Sequence, residues 1–250
     1  MTMNRRNFLH TSVAVVTGAV APLPARAQQD YPNHPVRIVV GFPAGGGTDV
    51  FARVVAQGLS QATGQQFLID NKAGAGGIVA SQGMLQSAPD GYTLLVGSTS
   101  TQVIAPLLYS KRPYSTADFT PVAHLASVGI VLVANPNATF NNVAEMVAYA
   151  RARPGQLNYA SGGNGVTNHL AMELLKARTG SFLVHIPYRG SAPALTDVMA
   201  GQVPLMFDSI ASSGPRYARA RSRRWVLQAC RGWTCCRVCR PSPSPARPSA

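Results

Sequence analysis

Apolar runs of two kinds alternate along this chain, and their order leaves few folds open. Val36 to Val40 (VRIVV) is short and almost wholly apolar, with β-branched side chains, as a strand buried on both faces of a parallel sheet would be. From Thr48 to Leu59 the period changes: Val50, Phe51, Val54, Val55 and Leu59 draw a helical stripe, stopped by Gly64. Gln66 to Asp70 predicts a second strand. Gly77 to Gln86 predicts a helix ended by the turn residues Ala88-Pro89-Asp90-Gly91, and Tyr92 to Val96 a third strand. That β-α-β-α-β series is the grammar of a doubly wound sheet.

The grammar resumes after a long, mostly apolar crossing from Pro121 to Val133. Asn142 to Ala152 predicts a helix with Val143, Met146, Val147 and Ala150 on one side, followed by a strand over Leu157 to Ala160. Thr167 to Lys176 predicts a helix carrying Leu170, Leu174 and Leu175, then a strand over Phe182 to Ile186. Ala192 to Ala200 predicts a helix closed by Gly201, then a strand over Val203 to Phe207. The fold class is therefore α/β with two lobes, residues 28–125 and 126–215, and the crossing from Val122 to Val131 is the expected hinge segment.

The two ends differ from this body. Met3 to His10 (MNRRNFLH), the apolar run Thr11 to Val20 and PLPARAQ from Pro22 to Gln28 form a charged, an apolar and a cleavage region in turn, so 1–27 reads as a signal peptide. Its apolar run is too short for a spanning helix of about 20 residues. The twin arginines before Asn-Phe-Leu resemble a twin-arginine export signal. The expected compartment is the periplasm. At the other end, residues 216–250 hold nine arginines, no acid, both tryptophans and all four cysteines. Residues 31–215 carry ten Lys/Arg against eight Asp/Glu, so most of the formal +13 belongs to the ends, and no nucleic-acid partner is expected for the body. Cys230, Cys235, Cys236 and Cys239 lack a second well-spaced pair or a nearby histidine, which argues against zinc. The abrupt change of composition is of the kind a shifted reading frame produces. Residues 216–250 are expected to be disordered and without receptor function.

In parallel sheets ligands bind beyond the carboxyl ends of strands, so the strand-to-helix loops are the candidates. The loop after Val40 is nearly a phosphate loop: Gly41, four residues, Gly46, then Gly47 where a lysine belongs, then Thr48. Without that lysine a nucleotide is a poor fit, whereas an anion on free backbone N–H groups at the helix start is a good one, with Thr48 as cap and Asp49 in the first turn. A tight turn that merely joins strand to helix stays open. GSTST (Gly97 to Thr101) and SGGNGVT (Ser161 to Thr167) repeat the pattern of strand, small polar donors, helix. AGAGG (Ala73 to Gly77) belongs to the rim or to a plain turn. Arg37 and Arg189 are candidates for added attraction. His169, just after the third loop, either touches ligand or caps and packs. No G-x-S-x-G elbow and no H-E-x-x-H appears, and His10, His34, His124, His169 and His185 are scattered. No cofactor, metal or catalytic set is expected; an exported hydrolase-type enzyme with an unrecognised site is the alternative.

These residues also carry a family likeness. PVRIVVGFPAGGGTD (Pro35 to Asp49), NKAGAGG (Asn71 to Gly77), APDGYTLL (Ala88 to Leu95), PGQLNYASGGNG (Pro154 to Gly165), HIPYRGSAPAL (His185 to Leu195) and GQVPLMFD (Gly201 to Asp208) together resemble receptors of the tripartite tricarboxylate transporter system, the Bug family. The resemblance covers about residues 31 to 215. It implies a non-catalytic, monomeric periplasmic receptor with a two-lobe periplasmic-binding-protein-like fold. Such a receptor binds a small organic acid (a mono- to tricarboxylate, an acidic amino acid or an aromatic acid) for delivery to a membrane component. It implies that Ala44, Gly45, Gly46, Gly47, Thr48 and Asp49 hold one ligand carboxylate. Ser98, Thr99, Ser100, Thr101, Ser161, Gly162, Gly163 and Asn164 would line the cleft, with Asp208 approaching it from a strand end. Family members continue beyond the break near Pro215 or Arg216 and return to the first lobe, so the fold is expected to be incomplete there.

Overall fold

β1 (Val36–Val40) is the central strand of a three-stranded parallel sheet, between β2 (Phe67–Asn71) and β3 (Thr93–Val96). The computed structural model describes residues 31–135, 137–219, 226–229 and 236–239; the expected signal peptide lies outside them. The apolar reading of β1 holds, since Val36, Ile38, Val39 and Val40 are all at most 2% exposed. Helix α1 (Gly47–Thr63) crosses from β1 to β2, and α2 (Ile78–Leu85) crosses from β2 to β3. After β3 come a single π turn (Ser100–Ile104) and the short α3 (Ala105–Leu108).

The crossing is less regular than its sequence implies. Residues 120–129 form neither helix nor strand and are exposed, and only β4 (Ile130–Ala134) is extended and paired. The second sheet has the order β4-β7-β5-β6, with β5 (Asn158–Ser161), β6 (Val184–Pro187) and β7 (Leu205–Ser209). β5 pairs in parallel with β6 and β7, but β4 runs antiparallel to β7, so this sheet is mixed where an all-parallel one was expected. Helices α4 (Val143–Ala152), α5 (Thr167–Thr179), α6 (Ser191–Ala200) and α7 (Ile210–Arg219) complete the lobe.

Side chains alternate across this sheet with the strand period of two. Leu132, Ala134, Tyr159, Leu205 and Phe207 join Met146, Ala150 and Met172 of α4 and α5 in one core. Val131, Val133, Ala160 and Met206 face the other way, onto Ala194, Leu195 and Val198 of α6 and onto Tyr217 of α7. Arg216 and Tyr217 are thus part of a helix that runs through the expected break. Tyr217 is 2% exposed, and its hydroxyl donates to the Ala134 carbonyl at 3.1 Å. Further on, β8 (Val226–Ala229) and β9 (Cys236–Cys239) form an antiparallel pair, regular backbone where none was expected. The ladder satisfies backbone groups without needing an apolar stripe. Among the described residues no helix is long and apolar enough to cross a membrane.

Candidate functional site

The start of α1 differs from the expected cap. The helix begins at Gly47; its cap is Gly46, which has no side chain, and Thr48 lies inside the first turn. The first intrahelical bond is Val50 N–H to Gly46 O, 3.0 Å. Among the described residues, the N–H groups of Gly47, Thr48 and Asp49 therefore have no protein acceptor, the arrangement that favours an anion. Asp49 is turned inward and is 2% exposed. Its Oδ2 accepts from Gly45 N–H and Arg53 Nε, each at 2.9 Å, and its Oδ1 from Asn71 Nδ2 at 2.9 Å. Asn71 Nδ2 also donates to the Phe42 carbonyl at 3.0 Å. Burial would raise the Asp49 pKa, but the hydrogen bonds from Arg53, Gly45 and Asn71 outweigh it and hold the group below 3.8. Asp49 therefore shapes the glycine loop, and its oxygens face protein.

The second lobe presses against that loop. A β-carbon added at Gly47 would stand 2.8 Å from Ser209 Cβ, one at Gly46 3.4 Å from Ser191 Oγ, and one at Gly45 3.3 Å from Arg216 Nη2. Gly190 meets Pro43 equally closely, a β-carbon there standing 2.6 Å from Pro43 Cγ. Asp208, at the end of β7, is 2% exposed and accepts from the Ser212 hydroxyl. Burial pushes its pKa up to about 6, against the pull of Ser212, Ser209 N–H, Arg216 and Ser191. The Arg216 guanidinium reaches the Ala192 carbonyl only at 3.5 Å.

The other two loops meet each other. Ser100 Oγ lies 2.7 Å from Thr167 Oγ1 and accepts the Thr167 N–H at 3.0 Å, joining the π turn to the start of α5. Thr101 is buried and turned back on its own loop, where its Oγ1 accepts Ser98 N–H at 2.9 Å. Thr99 and Asn164 are exposed. A crevice with room for about one water molecule runs between these loops, lined by Gly76, Ser100, Asn164, Gly165 and Val166 among others. Ser161 and Gly162 are buried beneath it, with Gly163 half-buried; Gly162 accepts Gly190 N–H at 3.0 Å. His169 Nδ1 accepts Gly165 N–H at 3.1 Å, tying the loop to α5, whose cap Val166 has no side-chain hydrogen bond. Arg37 stands 3.8 Å from Asp70, on the far side of β1's loop, and Arg189 is exposed.

The structure thus brings Gly45, Gly46, Gly47, Ser100 and Asn164 to the contact between lobes, while Asp49, Thr101, Ser161 and Asp208 support it from behind. Sequence reading missed Ser191, Ser209, Ser212 and Arg216 at this contact, while Thr167 ends the expected third loop. The signal was available: DSIASSG, Asp208 to Gly214, is another strand end followed by small hydroxyl residues. Among the described residues no three His, Cys, Asp or Glu are placed to hold a metal. Ser161 Oγ lies 2.6 Å from His185 Nε2, but Ser161 is wholly buried and that imidazole lies against the rings of Tyr159 and His169. A nucleophile must reach its substrate, and this hydroxyl is enclosed.

Two α/β lobes thus meet over a glycine-rich helix start. A family model described as the tripartite tricarboxylate transporter family receptor matches residues 51–228, and the chain belongs to that family. The match continues past the break expected at 216. A protein of a Pseudomonas species, encoded in a tcbD-tcbE intergenic region, is 39% identical over 220 residues, covering 88% of this chain and 64% of the relative. BugT of Bordetella pertussis is 40% identical over 188 residues, covering 74% and 57%. The chain thus spans less than two thirds of these relatives' length. Among solved structures, Rpa4515 of R. palustris with adipate superposes with a TM-score of 0.77 at 38% identity, covering 80% of this chain and 68% of that one. MatC of Rhodopseudomonas palustris with bound malate gives 0.73 at 31%, with the same coverage.

Proposed function

We propose that this chain is a non-catalytic periplasmic receptor that holds a small organic acid between its lobes for delivery to a membrane transporter component. One carboxylate lies at the start of α1. The observation that carries this reading is the uncapped helix start, where among the described residues the Gly47, Thr48 and Asp49 N–H groups have no protein acceptor and the glycine loop lies against Ser209 and Arg216. Gly45 and Gly46 complete that cradle and Asp49 fixes its shape, while Ser100 and Asn164 line the crevice between the other two loops. The adipate and malate in two relatives carry carboxylates of the kind that free N–H groups at a helix start favour. Calorimetric titration with malate, adipate and a panel of neutral sugars tests the reading. Saturable binding of either acid with no sugar response is expected; binding confined to sugars would overturn it.

A further inference from the structure

Two imidazoles hold the two ends of the loop at residues 161–165. His169, on α5, accepts Gly165 N–H at Nδ1, and His185, on β6, sets Nε2 2.6 Å from Ser161 Oγ. Their rings stack with centroids 4.1 Å apart and 18° between planes, and Tyr159 of β5 stacks on His185 at 4.9 Å. The charged groups facing the pair are Glu173 and Lys176 of α5. Glu173 Oε1 already takes the Tyr159 hydroxyl at 2.5 Å and Lys176 Nζ at 2.7 Å, and stands 3.9 Å from His169 Nε2.

A nitrogen that accepts an N–H carries no proton, so His169 Nδ1 is bare while Gly165 is held. Protonating it would set two donors against each other. It would also place a positive charge against a second imidazole and near Lys176. The two rings cannot both be charged in this geometry.

We propose that His169 and His185 are an acid-sensitive support for the ligand loop: proton uptake by the pair releases Gly165 and weakens the carboxylate site. The proposal rests on the function given above. Burial lowers the pKa of both rings from 6.5; for His185, burial and then the neighbouring His169 bring it to about 4. The fold therefore prefers the neutral rings. Their contribution is complete above 6.5, and it is lost as pH falls from there toward the depressed values.

The test follows the imidazole signals and the Gly165 amide of the full chain by nuclear magnetic resonance, from neutral pH down to about 4.5. Malate and adipate titrations are run over the same range on the wild type and on His169→Asn. Asn offers an oxygen to Gly165 but takes no proton, and the ligands' own ionisation affects both chains alike. The expected result is a His169 midpoint below the ordinary histidine value, a Gly165 shift sharing that midpoint, and a loss of affinity about fivefold greater in the wild type. A midpoint at or above the ordinary value, an unmoved Gly165 amide, or parallel loss of affinity would overturn the proposal. If neither acid binds either chain at any pH, the carboxylate reading fails. The amide then decides alone: a shared midpoint sustains the acid-sensitive support, and an independent one ends it.

Discussion

At the residue scale, two aspartates of the expected site have side chains held by neighbouring protein groups. Asp49 accepts hydrogen bonds from Gly45 of the loop, Arg53 of α1 and Asn71 of β2, so Asp49→Ala removes the acceptor of Gly45 N–H and leaves the Asn71 amide only the Phe42 carbonyl. Hydrogen bonds to a charged group contribute about 1.5–3 kcal/mol each in favourable cases. Arg53 is more than half exposed and its share is small. A stability loss of about 2–3 kcal/mol in urea is expected. In the wild type this contribution is present above 3.8 and fades as pH falls through the depressed Asp49 value. Asp208 has the opposite sign. Its pKa is raised from 3.8 to about 6, so its ionisation costs stability as pH rises through that window, on the order of 3 kcal/mol. Asp208→Asn should flatten the melting temperature against pH between those values, and an unchanged slope would refute the assignment. The residue types of both sites were legible in the sequence. Which way each carboxylate points was not, because that depends on Asn71, Arg53 and Ser212 meeting through the fold.

At the element scale, strands were easier to read than helix faces. β1 gave itself away because all of it but Arg37 is apolar. Helix α1 carries Val54 on its outside at 65% exposure, while the small residues Ala52 and Ala56 meet the sheet. Likewise Leu170 and Leu174 of α5 are partly exposed, and Met172 is the wholly buried residue. Hydrophobicity marks both elements as helical, but alanine allows a closer approach to the sheet than valine, and size therefore set the phase. Ala52→Leu should cost about 1–3 kcal/mol by overpacking, whereas Val54→Lys should stay within about 0.5 kcal/mol. Chemical denaturation of the two variants separates them, and equal effects would contradict the packing described. The antiparallel β4 was not legible for another reason: strand direction is a property of the whole chain path.

At the scale of the molecule, the two lobes meet through contacts that leave little slack. Gly47→Ala would drive a methyl group into Ser209 and hold the lobes apart. A tenfold or greater loss of malate affinity is expected, about 1.4 kcal/mol or more. X-ray scattering should then show a larger radius in saturating ligand than the wild type has; affinity and radius both at wild-type values would argue for a rigid pocket formed elsewhere. The two-lobe plan was readable from the repeated alternation of patterns, whereas the residues that join the lobes were not, since Ser191, Ser209 and Arg216 lie far from Gly45 to Gly47 in sequence.

On the proposed function, the contact of Gly190 with Pro43 would set an end point to lobe closure. Neither residue has a flexible side chain to yield, so the lobes stop at one separation instead of settling by degrees. On the proposed function, the two lobes would measure the acid against a fixed gauge. Along a series of straight-chain diacids from succinate to suberate, affinity should drop abruptly once the acid outgrows the gap, and Gly190→Ser should move that drop toward longer acids. A smooth decline with length, unmoved by the substitution, would mean that the gap adjusts to whatever fills it.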